Sequence, residues 1–235
     1  VVCRRQRQMC IRDSPKTATA CKNEKGTKTQ IENLKKNTAS KFPPKSLFRL
    51  IADNNIGLPF RPEIIICDDL GSEAADFIFI NFAKKALAFV HAKANKDDSK
   101  ISASAFHDVV AQASKNIVYM SPGSEAPQGV NKWTTAGKWN STRIPRLVVH
   151  PKDQPTATTL WKKIKNEIID QPERYLYVVL ATAGCISKKA LKEAINDDNK
   201  RTAQTSQLIH LLDGLNSQSR QIGVSVLIKE IPFER

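Results

Sequence analysis

From Ile64 to Lys93 the chain alternates between apolar runs and turn-sized polar gaps, which predicts three successive strands at roughly 62–68, 75–82 and 86–93. A short amphipathic helix precedes them, from Lys45 to about Asn54, with Leu47, Phe48, Leu50 and Ile51 on its apolar side. Asn54-Asn55-Ile56-Gly57 and Pro59 are its stop signals. After the polar stretch Asn95–Lys100, Ser102 or Ser104 is placed to cap a helix running to about Tyr119. Its core stripe is Phe106, Val110, Ala113 and Ile117, with Asp108, Gln112, Lys115 and Tyr119 on another face. Residues 121–142, rich in Pro, Gly, Ser and Thr, read as a long surface loop. The remainder predicts a strand at Arg146–His150, a helix at Thr156–Asp170 and a strong strand at Arg174–Ala183. Helices at about 187–196 and 202–218 and a closing strand at Val224–Ile231 complete the chain. This order implies an α/β fold with a mixed β-sheet flanked by helices.

Composition narrows the setting more than the chemistry. Of the net charge of +14, most sits in residues 1–45, which hold 12 Lys/Arg against 3 Asp/Glu. The body is only mildly basic, compatible with a polyanionic partner without demanding one. No apolar run approaches the ~20 residues of a membrane span. Five cysteines without a CxxC pair argue against a disulfide framework or zinc knuckle, and a reducing, cytoplasmic location is expected. Residues 1–14 begin with Val1 and resemble translated sequencing-adapter text at the end of an assembled environmental fragment, so they read as a processing scar. Residues 15–44 read as a basic linker with little to bury. Residues 45–120 form the predicted core, and 143–235 an αβ part completing the sheet.

The candidate chemistry lies in the three strands. Asp76 opens the second, and His91-Ala92-Lys93 closes the third. Residues at i and i+2 on a strand share a face, so pairing the strands in order would bring Asp76, His91 and Lys93 together. An Asp carboxylate and the Ala92 carbonyl are hard oxygen ligands suited to Mg²⁺, and Lys93 could orient a water or offset developing charge.

This arrangement resembles the PD-(D/E)xK, or restriction-endonuclease-like, nucleases, over roughly residues 45–120. The resemblance implies an α-β-β-β-α-β core and metal-dependent hydrolysis of DNA with Mg²⁺ or Mn²⁺. It casts Asp76 as metal ligand and Lys93 as catalytic lysine. Gln112 on the following helix matches a site-facing glutamine of Holliday-junction-resolvase-like and Mrr-like relatives. Those relatives carry an aromatic residue at the position of Asn116. The departure is His91, where most relatives have Asp or Glu. An imidazole prefers softer metals, so His91 is read as an unusual ligand, with Asp69 or Glu73 as the source of a second carboxylate. By the same resemblance the chain is a module of a larger prokaryotic DNA-processing or defence protein, with a helicase or motor region upstream. The alternatives are a catalytically degenerate nucleic-acid-binding or assembly module and an αβ interaction domain whose strand charges are structural.

Three further features have two readings each. Asp68, Asp69 and Glu73 form either a solvated acidic turn or part of the site. Lys132-Trp133 and Lys138-Trp139 are either a nucleic-acid-binding loop that stacks bases and contacts phosphates, or a loop pinned by buried indoles. Ser187 after Thr182–Ile186 is a helix cap or part of an anion site, with the plain cap preferred.

Overall fold

Every residue of the first strand, β1 (Ile64–Cys67), is buried, and the same holds for β2 (Phe77–Asn81). A strand apolar on both faces needs cover on both sides. The computed structural model, which describes residues 21–36, 39–69, 71–95, 101–134, 136–149 and 157–232, supplies it. Six strands form one mixed sheet in the order β4-β1-β2-β3-β5-β6, flanked by helices on each face. The protein is therefore mixed α/β.

β1, β2 and β3 (Ala86–Ala94) are an antiparallel meander. The β2–β3 turn is closed by Asn81, whose Oδ1 accepts the Lys84 N–H at 2.7 Å, and Lys85 takes a positive φ of 47°. β5 (Tyr175–Ala183) runs parallel to β3, and β6 (Val224–Ile231) parallel to β5. β4 (Leu147–Val149) adds antiparallel to the outer edge of β1. The strand predicted at 146–150 thus starts one residue later, at Leu147, and His150 lies outside the described residues.

On one face pack α3 (Ala103–Asn116), α4 (Ala157–Ile164, continuing as a π-helical turn to Ile169), α5 (Lys188–Asn196) and α6 (Ala203–Gln221). Phe106, Val110, Ala113 and Ile117 all face that core, as their helical spacing requires. Ser102 caps α3 by accepting the Ala105 N–H, and Ser187 caps α5 by accepting from Ala190. The Glu230 carboxylate also accepts the Lys188 N–H, so the α5 terminus is filled from within. The plain-cap reading of Ser187 holds.

The opposite face corrects the linker reading of residues 15–44 over its described part, residues 21–36 and 39–44. Cys21, Phe42 and Leu34 of α1 (Lys28–Lys36) are buried there beside α2 (Leu47–Ala52). Residues 21–24 are stitched down by backbone bonds: Cys21 N–H to Pro232 O, Leu47 N–H to Asn23 O and Phe48 N–H to Glu24 O. Lys/Thr/Asn-rich composition concealed this, because few apolar anchors suffice when the backbone itself is paired. Residues 1–20, which include the expected scar, and 96–100 of the expected polar loop lie outside the described residues.

Candidate metal centre

β2 pairs with β3 only as far as Phe77 against Val90. Beyond that point the β3 edge facing β2 has backbone N–H groups with no strand partner, and carboxylates take them. Asp76 Oδ2 accepts the Ala92 N–H at 2.7 Å, and the Glu24 carboxylate accepts from Ala94. An extended residue turns its N–H and C=O to the same edge, so the Ala92 carbonyl opens on this side too. The result is a cavity of about 190 Å³ whose walls include Glu24, Lys25, Asp69, Glu73, Asp76, Ala92, Lys93 and Gln112.

Inside it, Asp69, Glu73 and Asp76 each present an oxygen within 4.8 Å of the other two. Lys25 Nζ bridges both Asp69 oxygens at 3.0 Å, and the Trp139 indole N–H donates to Asp69 at 2.8 Å. Gln112 Nε2 donates to Glu73 Oε1 at 2.8 Å, and Asn116 donates to the Glu73 carbonyl. Lys93 reaches the cavity from β3 and pairs with Asp108 of α3 at 3.1 Å.

The charge balance is uneven. Burial is the main cause that pushes the Asp76 carboxyl up to about 8; the Ala92 N–H opposes it, and Glu24 and Asp69 reinforce it. Glu24 is raised too, first by burial, against the pull of Lys25 and Lys93. Burial disfavours the Lys25 ammonium, yet the facing Asp69 more than offsets this and its pKa ends raised. The site thus holds more carboxylates than cations, in a place where water compensates poorly. A hard divalent cation fits that donor set: carboxylate oxygens and a backbone carbonyl, close together and short of positive charge.

Sequence reasoning brought Asp76, Ala92, Lys93 and Gln112 to one place, together with Asp69 and Glu73 as the second carboxylate. His91 is the exception. Its side chain is fully buried on the α3 face, does not line the cavity and has no part in the carboxylate cluster. Neither imidazole nitrogen makes a hydrogen bond of good geometry, and Gln112 is the one polar side chain that acts on the ring among the described residues. Burial lowers its pKa to about 4, with Gln112 pulling slightly upward. His91 and Lys93 do share a face, but the shorter imidazole stops in the core while the lysine stem reaches out.

The solvated-turn reading fails for Asp68, which is wholly buried and accepts from Trp133 Nε1 at 2.6 Å and from the Ala74 N–H at 2.9 Å. Burial lifts its pKa to about 6 despite those bonds. Base stacking by Trp133 and Trp139 is likewise corrected: both indoles are buried, and each donates to one aspartate of the Asp68-Asp69 pair. The long loop is pinned onto the acidic turn, a second use of the tryptophans that spacing alone left open. Lys132 and Lys138 remain exposed on that loop.

Glu24 and Lys25 were missed. They lie more than forty residues from Asp69 in sequence, and nothing local marks them; the one available signal was a charged pair ahead of Phe42, Phe48 and the first helix. Comparison with protein-family models, curated proteins and solved structures found no match for this chain.

Proposed function

We propose that this is a metal-dependent nuclease that hydrolyses phosphodiester bonds in DNA, on a restriction-endonuclease-like core. The observation that carries the reading is the cluster of Asp69, Glu73 and Asp76 beside Lys93 in one cavity. The element order α2, β1, β2, β3, α3 and then β5 supports it, because it follows the α-β-β-β-α-β order of that class with β4 and α4 inserted between α3 and β5.

Asp76, Glu73 and the Ala92 carbonyl would hold Mg²⁺ or Mn²⁺, with Asp69 as a weaker ligand because Lys25 and Trp139 already occupy its oxygens. Such an ion, when bound, makes water a better nucleophile and draws charge from the phosphate. The chain's own residues do the rest. Lys93 places an ammonium at the cavity, held by an exposed partner, Asp108, that it can leave for a phosphate oxygen at small cost. Gln112 fixes the Glu73 carboxylate, and Asn116 fixes its backbone. His91 fills the core beneath and touches no reacting atom.

Plasmid and linear-duplex cleavage with Mg²⁺ and then Mn²⁺ tests this, with wild type beside Asp76→Ala and Lys93→Ala. Metal-dependent cutting lost in both variants is the expected result. A second reading, a binding module that has lost cleavage, is favoured by the engagement of Asp69 with Lys25 and Trp139. DNA binding without cutting in either metal would establish it in place of the first.

A further inference from the structure

A second cavity is larger than the acidic one. It lies between α2 and the β1–β4 side of the sheet, with a volume of about 530 Å³. It exists because α2 is only six residues long and leaves that end of the sheet uncovered. Ile65, Phe77 and Val148 supply an apolar floor, and Lys41, Arg61 and Arg146 stand around it. Its acid, Asp53, is already engaged by Arg49. Arg61 is exposed, and its guanidinium has no hydrogen bond or ion pair among the described residues. Lys41 also reaches Asp53, at 3.9 Å, and Arg146 is bonded to backbone carbonyls, which leaves the exposed Arg61 guanidinium. An apolar floor beside that cation suits a ligand with a flat apolar part and a negative charge, and the volume falls in the ordinary range for small-molecule sites.

Its position selects among such ligands. Cys67 and Phe77 line it, while Asp69 and Asp76, two residues and one residue away, line the acidic cavity. Arg146, in the wall of the larger cavity, donates to the Asp69 carbonyl at 3.3 Å. The two cavities therefore share a wall. We infer that the larger cavity takes one unpaired nucleotide of the DNA strand whose phosphodiester lies at the carboxylate cluster, with the base on the apolar floor and a phosphate at Arg61 and Lys41. The inference rests on the nuclease reading for the course of the strand. A base stacked within a duplex cannot enter such a site without being extruded, so the substrate class is single-stranded or frayed DNA.

The test uses the full chain and three labelled probes in fluorescence anisotropy without metal: a dT twelve-mer, a twelve-unit abasic strand with the same phosphates, and a twelve-base-pair duplex. The dT strand is expected to bind about tenfold more tightly than either of the others, since a stacked base contributes ~1–3 kcal/mol. Arg61→Ala, at an exposed position, should weaken the dT strand about tenfold, and Ala52→Phe, which fills the cavity from α2, should abolish the preference for dT over the abasic strand. Equal binding of dT and abasic strands, or a preference unchanged in both variants, overturns the inference. Cleavage run in parallel separates the two readings. Base-dependent binding without cleavage leaves the cavity standing and removes the nuclease, whereas cleavage without base dependence does the reverse.

Discussion

Replacing Asp76 with Asn should stabilise the metal-free protein, and by an amount that grows with pH. The residue is 5% exposed and its carboxyl pKa is pushed from 3.8 to about 8, chiefly by burial. Below the lower value both folded and unfolded chains carry the proton, and its contribution to stability is fully present. As pH rises toward 8 the unfolded chain releases a proton that the folded chain retains, so stability falls by ~1.4 kcal/mol per pH unit. Asparagine does not ionise, and its carboxamide oxygen can still accept the Ala92 N–H. Between pH 5 and pH 8 the variant's advantage should therefore widen by ~2–4 kcal/mol. Urea unfolding at four pH values in EDTA measures this directly. A gap that stays flat with pH, or a variant less stable than wild type at pH 8, would refute the electrostatic picture of the site. Adding Mn²⁺ should narrow the gap, because an ion that binds the carboxylate displaces its proton.

Other substitutions examine separate parts of the argument. His91→Leu removes two buried nitrogens that make no hydrogen bond of good geometry and should leave stability at pH 7 unchanged or raised by ~1 kcal/mol in chemical denaturation, with any metal-dependent cleavage retained. The same variant should resist mild acid better: a folded pKa near 4 against 6.5 means that wild type loses stability as pH falls through that window. Trp133→Phe keeps the ring but deletes the N–H donated to buried Asp68, and thermal unfolding should show a loss of ~1.5–3 kcal/mol. Lys25→Met removes the ammonium bridging Asp69, so divalent-ion affinity measured by isothermal titration should rise severalfold rather than fall.

Where periodicity carried information, structure followed it closely. The stripe of α3, the all-apolar strands and the closing strand Val224–Ile231 were legible because burial of a helix stripe or a strand face leaves a repeat in the sequence. The segment before α2 was not legible, since Lys25, Glu24 and their neighbours are held by backbone pairing and by partners in distant elements. Among polar residues the same divide appears. Ser102 and Ser187 cap within three residues, so local sequence suffices. Trp133 and Asp68, 65 positions apart, meet only because β4 returns to the edge of β1.

Taken alone, the chain's sequence determined the succession of helices and strands, the α/β class, and the nearness of Asp76 to Lys93, all consequences of short-range steric and hydrophobic pattern. Tertiary structure decided which of the acidic residues share a cavity, that His91 is core rather than ligand, and that both loop tryptophans point inward. The tryptophans follow the return of β4 to β1, and the shared cavity depends on where β2 stops pairing with β3. That end point is set by packing of the whole sheet against α2 and α3, which no local spacing encodes.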